Sequence, residues 1–587
     1  MKKIFDRFPF YLPFLGVCLG FLLSEFNFLA VPFLLTWILW FLWIYINGRF
    51  YYFQYFIYTG ILFVILGFFR CEQNKLAFQR DLKCVSKASH LGLVVTQNLG
   101  KRKNWYRFEC KVHKSSVDGL SWNLCHDANI DLYVKDTTMI DEGSHFFLSN
   151  VHFVPFQKAS LPGEFNLQKL KFSRKFVGLF FAKSANISHV TIYENGIYAW
   201  RNKVKSFLNV SFVEGLSPSN LMLVRQLMWG DKTQIDDDLK SAFQISGTTH
   251  VLSVSGMHMA LLFALIHFIL DRFSRKKTTK RLLKLFIIPI LWVYAFFTGF
   301  SAPVLRAVSF FTYYLIGNVL FQRSLKLLHV LLVVGLIQLL VDPFSLYDIG
   351  FQLSYSAVLG LSVILPVLKS YYENSPFYWQ WILDALAISL SSSITTYPLI
   401  LYYFHQFSVW FLIGNLLLLP LFTVLMYALF FLVFLAMIYV KIPFVVSGLN
   451  VYINLISSIV KLSISLPFPY VFTYGFDEFM LAFHFGFVYF LIVNFYRGWR
   501  FISYLFCGFI LLNFTLSMYR RNIRNREDLN VHLKISGGHL HIQKSQSTLK
   551  IMAEPNVPQE KIEQKIAYLL KSMDVDTVIY TYGIKGK

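Results

Sequence analysis

The chain has 587 residues, of which 56% are hydrophobic and only 15% charged, and its mean hydropathy is +0.50. This composition excludes an ordinary soluble enzyme and predicts a polytopic α-helical membrane protein with soluble parts. The formal charge of +23, from 55 Lys and Arg against 32 Asp and Glu, suits anionic lipid headgroups or a polyanionic substrate. Charge alone does not choose between them, because the positive-inside rule produces the same excess.

Residues 1–69 are predicted to form three N-terminal transmembrane helices, each near the ~20 residues that span a bilayer. The apolar runs cover residues 8–26, 28–46 and 51–69. Lys2, Lys3 and Arg7 predict a cytoplasmic start, so three spans place the following region outside. No cleavable signal peptide is expected, because the first run leads at once into two others.

Residues 70–175 alternate in polarity as β-strands do, and Gly, Asp, Asn and Ser separate the alternating runs. The runs are LGLVVTQN (91–98), WYRFECKVH (105–113), NIDLYVK (129–135) and HFFLSNVHFVPF (145–156). Short strands at this density predict a small extracytoplasmic β-barrel, which a helical linker at 176–241 joins to the membrane. Cysteines stand at 71, 84, 110 and 125, and a Cys110–Cys125 disulfide is one pairing that an oxidising compartment would allow.

A basic and aromatic cluster lies in the β region and has two interpretations. Its members are Lys101, Arg102, Lys103, Trp105, Tyr106 and Arg107. Phosphate attraction with base stacking would suit single-stranded nucleic acid. A solvated hairpin with its aromatic side chains in the core explains the same residues.

Residues 242–519 are predicted to form the main transmembrane domain. Its first span, about 247–270, precedes seven bases between Arg272 and Lys284, which mark the cytoplasmic side. Residues 409–420 are expected to be re-entrant, because Gly414, Asn415 and Pro420 weaken or interrupt a helix. About 13 spans result in all, the later ones at 285–300, 302–321, 325–341, 350–368, 379–404, 421–440, 443–466, 479–496 and 501–518.

Residues 520–587 are predicted to be a small soluble α/β tail. Strands are expected at 529–535 and 540–545, and an amphipathic helix at 559–573.

The first span of the main domain opens on an unusually polar stretch, FQISGTTHVLSVSGMHMALL (243–262). Gly247 and the Ser255–Gly256 pair predict an interrupted helix whose polar groups line a wet pathway. The alternative is that each serine bonds its own preceding turn and each histidine pairs with a neighbouring helix. His250 and His258 are eight residues apart, which is not the spacing of a helical zinc pair, so neither a metal nor a catalytic role is expected.

Arg306 stands a few residues inside an apolar span, where a buried arginine costs about 2.5–3.5 kcal/mol. It must snorkel, pair with a carboxylate or meet an anion. Asp348 is the candidate partner at similar depth, and Gln352 and Ser354 follow at the entrance of the next span.

Several ordered motifs resemble the ComEC-type competence proteins, inner-membrane channels for DNA uptake in natural transformation. They are PGEFN (162–166), WGDKTQIDDDLKSAFQISGTTHVLSVSGMH (229–258), GFSAPVLRA (299–307), DPFSLYDIGFQLSYSAVLGL (342–361) and GNLLLLP (414–420). The resemblance implies a bacterial plasma-membrane location and an OB-like fold for the external β domain. It also implies a channel, not an enzyme, that passes single-stranded DNA and needs no cofactor.

Under this resemblance the DNA pathway would be lined mainly by polar groups. The candidates are His250, Ser253, Ser255, Gly256, His258, Arg306, Asp348, Gln352, Ser354 and Asn415. Because the sequence has no nucleotide-binding P-loop, any ATP-driven pulling would have to come from a partner such as a cytoplasmic ATPase. An external DNA-binding protein and a second copy of the chain are further expected partners.

Many members of this family carry a C-terminal metallo-β-lactamase-like nuclease with an HxHxDH motif. Here only His539 and His541 approach that motif, so the nuclease is expected to be missing. Two other classes stay open: a secondary transporter for a small anionic solute, which the interrupted helix and buried arginine also suit, and an intramembrane hydrolase.

Overall fold

The computed structural model describes two compact units of the chain. The first combines Met1–Phe156, Lys169–Thr396 and Ser408–Tyr470, and the second combines Gln157–Gln168, Tyr397–Phe407 and Val471–Lys587. The described residues are 13–14, 16–18, 21, 51–102, 104–125, 128–135, 140, 142–156, 167–183, 186–191, 197–213, 216–231, 236–273, 276–320, 322, 325–440, 442–467, 470–472, 480–481, 484–488, 529–535, 538–545, 548–553 and 577–582.

The helices and strands are numbered in chain order. The helices are α1 (Tyr51–Ser86), α2 (Leu167–Ser173), α3 (Ile197–Val213), α4 (Pro218–Trp229), α5 (Asp237–Ile245), α6 (Gly256–Leu270), α7 (Lys277–Leu283), α8 (Ile287–Phe297), α9 (Ala302–Val319), α10 (Leu327–Val341), α11 (Ile349–Tyr372), α12 (Phe377–Phe404), α13 (Phe411–Met437) and α14 (Pro443–Leu462). The strands are β1 (His90–Arg102), β2 (Trp105–Ser116), β3 (Asn123–Leu124), β4 (Asn129–Lys135), β5 (His145–Leu148), β6 (Phe153–Val154), β7 (Phe176–Lys183), β8 (Ile187–Thr191), β9 (Gln406–Ser408), β10 (Tyr470–Phe472), β11 (Leu529–Ile535), β12 (Gly538–Ser545), β13 (Thr548–Ala553) and β14 (Thr577–Tyr582).

The N-terminal region holds one eight-stranded sheet in the order β6-β7-β4-β2-β1-β5-β8, with β3 paired to β2. Strands β4 and β7 are parallel, whereas β2 is antiparallel to both β1 and β4. Alternate side chains form a core in which Phe108, Ile130 and Phe180 are at most 1% exposed. The closed OB-like barrel stays a prediction.

The sheet continues past residue 175, where the β domain was predicted to end and a helical linker to begin. Strands β7 and β8 occupy 176–191, and β7 pairs with β4 along its whole length. The run FVGLFFAK is apolar at nearly every position, so its polarity does not alternate as that of a half-buried strand does. The linker boundary at 175 is therefore wrong, and the helices of the predicted linker begin only after β8, with α3.

Helix α1 extends beyond the predicted third span. It has 36 residues, about 54 Å at the helical rise, and ends at Ser86 instead of Phe69. Its last turns carry Phe78, Leu82 and Val85, which pack against the core of the sheet. A helical stalk thus joins the membrane part to the β domain.

Four helices, α11 to α14, are long and apolar enough to cross a membrane, and the shorter α6 and α10 are also apolar. These helices and the sheet domain fit a membrane protein. The count of about 13 spans stays a prediction, because the runs at 8–26, 28–46, 479–496 and 501–518 lie largely outside the described residues.

The predicted re-entrant segment at 409–420 is wrong. Residues 411–437 form the single helix α13, with Pro420 inside it. Proline removes one backbone donor, and transmembrane helices tolerate it because neighbouring helices and local adjustments satisfy the freed backbone groups. Gly414 is required for close packing, as described below, and not for a break in the helix.

The second unit contains a four-stranded sheet in the order β11-β12-β13-β14. Strands β11 and β12 cover the two runs predicted as strands, and β14 adds to the sheet in parallel with β13. The predicted helix at 559–573 lies outside the described residues.

A disulfide joins Cys84 of the α1 stalk to Cys125 beside β3, and Cys110 is buried outside any disulfide. The Cys110–Cys125 pairing is therefore wrong. Cys110 is buried in the sheet core with Phe108 and Val112, whereas the last turn of α1 supplies the partner of Cys125.

Replacing Cys84 by alanine should destabilise the β domain by about 4 kcal/mol, because the sulfurs close a loop of 41 residues. Mass spectrometry after alkylation of unfolded, unreduced protein should find Cys110 modified and Cys84 and Cys125 protected. Cys125→Ala should give the same loss of stability as Cys84→Ala. Alkylation of Cys84 in the unreduced wild type would contradict the pairing.

Candidate functional site: an interrupted helix and a buried arginine

The polar stretch at 243–262 forms an interrupted helix, as its glycines and serines predict. Helix α5 ends at Ile245, Gly247 adopts φ 73°, and a 3-10 turn covers Thr249–Leu252. Helix α6 begins only at Gly256, so the expected span from 247 starts nine residues too early. The left-handed backbone at Gly247 favours glycine and ends the preceding helix.

His258 caps the first turn of α6 and is fully buried. The Ser255 backbone N–H donates to His258 Nδ1 at 3.2 Å, and the Met257 N–H donates to Ser255 Oγ at 3.2 Å. Because Nδ1 accepts this hydrogen bond, the neutral ring carries its proton on Nε2. Within the described part of the chain, His258 Nε2 has no hydrogen-bond partner. This buried donor thus has no acceptor among the described residues.

His250 and Ser253 lie on the exposed side of the turn, so they do not share a buried face with His258. Ser253 Oγ donates to the His250 carbonyl at 3.3 Å. Gln226 Nε2 on α4 donates to the Leu252 carbonyl at 2.7 Å and fixes the turn. Residues 246–255 therefore do not form a continuous α-helix.

The start of α13 packs directly against the turn after α5. Ser408 Oγ donates to the Ile245 carbonyl, and Ser246 Oγ lies 2.6 Å from Thr248 Oγ1. Asn415 is 9% exposed, and its Oδ1 lacks a partner among the residues that the structure describes. The interruption thus brings Asn415 to the same part of the membrane domain as the 246–255 turn.

Gly414→Ala should destabilise this contact by about 1–3 kcal/mol, because a Cβ at residue 414 would overlap the Ser246 carbonyl oxygen. The measurement is thermal unfolding of the purified chain in detergent. Gly448→Ala is the matched control in helix α14, where a Cβ meets nothing within 4 Å. Equal melting temperatures for the two variants would contradict the packing.

Arg306 on α9 is 6% exposed and does not form the predicted ion pair with Asp348. Its Nη2 donates to the Gly350 carbonyl at 2.9 Å and to Ser354 Oγ at 3.0 Å, both on α11. Arg306 Nε is buried without a partner in the described chain. The Nε–H group of Arg306 therefore remains available to donate a hydrogen bond near the start of α11.

Asp348 has other partners, which explains the failed pairing. Its Oδ1 accepts the Phe351 N–H at 2.9 Å as the N-cap of α11, and its Oδ2 accepts from Arg174 Nε at 3.1 Å. Arg174 belongs to the β domain, between α2 and β7. The side chain of Gln352 also has a partner within the protein, because its Nε2 donates to the Leu346 carbonyl at 2.8 Å.

The β domain meets the membrane part at this same place. Lys175 Nζ lies 3.3 Å from Asp342 Oδ1, next to the Arg174–Asp348 pair. The rings of Phe78, Phe172 and Phe344 pack together. The centroid of the Phe172 ring lies 4.9 Å from that of Phe78 and 5.1 Å from that of Phe344. The sheet of the β domain is therefore anchored beside the start of α11, which binds Arg306.

The predicted pathway residues fall into two groups. His258, Ser255 and Gly256 start α6 near the 246–255 turn and Asn415, whereas Arg306, Asp348, Gln352 and Ser354 surround the start of α11. A Cβ at Gly256 would lie 3.7 Å from Ala307 Cβ, so the helix start that carries His258 packs beside the helix of Arg306.

Sequence reasoning overlooked the hydroxyl groups of α12. Ser389, Ser391 and Thr395 are at most 4% exposed, and Thr395 Oγ1 donates to the Ser356 carbonyl of α11 at 2.7 Å. Within the described residues, Ser391 Oγ has no partner. The signal was present in the run SLSSSITT (389–396), which has six hydroxyl residues inside an apolar span.

The long apolar helices, the interrupted helix and the buried polar groups define a membrane protein. Residues 227–499 match the family model described as Competence protein. This match and the relatives below show that this part of the chain is similar to competence proteins.

Three curated relatives illustrate the similarity. ComE operon protein 3 of Bacillus subtilis is 27% identical over 270 residues, 45% of this chain and 32% of the relative. Recombination protein 2 of Haemophilus influenzae is 27% identical over 223 residues, 36% of this chain and 28% of the relative. Competence protein ComA of Neisseria gonorrhoeae is 28% identical over 127 residues, 19% and 17% of the two chains. The matches thus cover about a third or less of these relatives, and no solved structure matches the chain.

Proposed function

We propose that this protein passes single-stranded DNA across the bacterial plasma membrane into the cytoplasm during natural transformation. The similarity of residues 227–499 to competence proteins supports this role. The observation that carries the proposal is a set of buried polar atoms that have no partner among the described residues: His258 Nε2, Arg306 Nε and Asn415 Oδ1. Buried polar groups nearly always have a hydrogen-bond partner. Those that have none in the described protein could therefore bind water or a passing substrate.

The chemistry of the strand explains why the groups are mainly neutral. A hydrocarbon core of ~30 Å would hold about nine phosphates at ~3.4 Å each. The predicted spans offer far fewer basic residues, so the path must be hydrated and polar, with Arg306 as one fixed charge. The bases between Arg272 and Lys284 would attract the strand at the cytoplasmic exit.

Transport would depend on other components. A cytoplasmic ATPase would supply the pulling force, an external DNA-binding protein would deliver the strand, and a second copy of the chain could complete the path. These partners are part of the proposal.

The test is uptake of labelled DNA into the cytoplasm of a strain that lacks this protein, with surface binding measured in parallel. We expect normal surface binding and no entry, and plasmid-borne wild-type protein should restore entry. Normal DNA entry in the deletion strain, with impaired uptake of a small anion such as phosphate, would instead support the secondary transporter.

A further inference from the structure

One face of the external sheet carries an open set of aromatic and basic side chains. Arg107 on β2 lies opposite Tyr133 on β4, and Tyr133 lies opposite Phe181 on β7. Directly opposed residues of neighbouring strands point to the same side, as do residues two apart on one strand. The same face therefore includes Trp105, Lys135 and Lys183, and these six residues are called the aromatic face.

The rings of the aromatic face form a continuous ladder. Phe181 stacks on Tyr133 with centroids 5.2 Å apart, and Trp105 meets Phe181 edge-on at 5.6 Å. Phe181 is 44% exposed although it sits in the middle of this ladder. A sheet that shows three adjacent rings on its surface offers flat apolar area of the kind on which unpaired bases stack.

The charge of the aromatic face is positive. Lys135 and Lys183 are exposed and lie opposite each other on β4 and β7. Arg107 lies over the Tyr133 ring, with its guanidinium carbon 5.6 Å from the ring centroid, and it pairs with Asp131 at 2.9 Å. Burial opposes the charge of Arg107, but Asp131, Tyr133 and Glu109 together raise the pKa of its guanidinium.

Helix α2 neutralises the acidic half of the same sheet face. Lys171 is buried and pairs with Asp131 at 2.9 Å and with Glu109 at 3.4 Å. The two carboxylates nearest to the rings are thus both paired with Lys171. An acidic, flexible ligand with planar groups matches this surface better than an apolar or basic one.

We propose that the aromatic face binds single-stranded DNA before it enters the membrane part, by base stacking on Phe181, Tyr133 and Trp105 with phosphates beside Lys135 and Lys183. This inference rests on the proposed function for the choice of DNA as ligand. The basic β1–β2 hairpin at 101–105 extends from the same end of the strands. Arg174 and Lys175, directly before β7, contact the membrane part, so β7 leads from the aromatic face to the membrane part.

The test uses the full chain in detergent and a fluorescein-labelled oligothymidine of about 15 nucleotides, with binding followed by anisotropy. Phe181→Ala should weaken binding about tenfold, and Phe181→Tyr should retain it, because stacking needs a ring. The double variant Lys135→Ala, Lys183→Ala should lower the slope of log K against log salt by about 1.4, whereas Phe181→Ala should leave that slope unchanged.

Trp122→Ala is the matched control, since Trp122 is an exposed aromatic in the same domain that packs on Phe147 at 5.2 Å, away from β7. It should bind as the wild type does. Protection of the buried Cys110 thiol from alkylation under native conditions verifies the fold of every variant. Equal binding by wild type and Phe181→Ala, or equal affinity for polyglutamate and oligothymidine, would overturn the proposal.

The result is independent of the transport step. His258→Ala should bind oligothymidine normally, so a variant that binds but does not transport separates the two sites. If Phe181→Ala weakens binding while the deletion strain still imports DNA, the aromatic face stands and the proposed channel falls.

Discussion

Arg306→Ala is expected to abolish DNA entry while the protein still accumulates in the membrane. The side chain is 6% exposed and donates to the Gly350 carbonyl and Ser354 Oγ, and its Nε has no partner in the part of the chain that the structure describes. A charge about 4 Å from a phosphate contributes roughly 4 kcal/mol at an effective dielectric constant of about 20, or about a thousandfold in rate. The measurement is transformation frequency together with immunoblotting of the membrane fraction.

Three variants separate charge from geometry at this position. Arg306→Lys keeps the charge but not the forked pair of donors, so we expect partial activity. Ser354→Ala removes one acceptor and should cost about tenfold or less. Arg80→Ala removes an exposed arginine of α1 whose Nε donates to the Leu76 carbonyl of the same helix, and it should transform nearly as well as wild type. Wild-type transformation by Arg306→Ala would remove this residue from the pathway.

His258→Ala should reduce transformation by about ten- to a hundredfold, the value of one hydrogen bond to a charged group. The imidazole Nδ1 caps α6, and Nε2 carries the donor that has no described partner. Loss of the cap alone would destabilise the helix start by about 1 kcal/mol. Thermal unfolding and transformation frequency are therefore measured on the same variants.

His258→Gln distinguishes the two roles of the ring. Glutamine at the third helical position can accept the Ser255 N–H, as in a capping box, so it should restore stability. The side-chain N–H of glutamine lies in a different position from the Nε2–H of the imidazole, so transformation should stay reduced. His267→Ala is the matched control on α6, because His267 is partly exposed and pairs with Asp271 at 3.4 Å. Full rescue by glutamine would assign His258 a structural role only.

Local signals in the sequence predicted much of the site. The left-handed turn at Gly247 and the new helix after Ser255 depend on residues within a few positions of each other, so glycine and serine alone indicate them. The apolar helices α11 to α14 follow from length and hydropathy in the same way. The prediction of a re-entrant segment was wrong because Gly414 allows close packing against the backbone of Ser246. Composition does not reveal such a contact.

What the sequence by itself determined was the class of protein, the interruption of the helix before α6 and the burial of Arg306, because hydropathy and backbone preference are properties of short segments. Tertiary structure alone decided that Cys84 pairs with Cys125, that Asp348 binds Arg174 instead of Arg306, and that Phe181 joins Tyr133 on an open sheet face. Each of these contacts joins residues more than 40 positions apart in the chain. Strand register and helix docking set which of many chemically equivalent partners comes within reach.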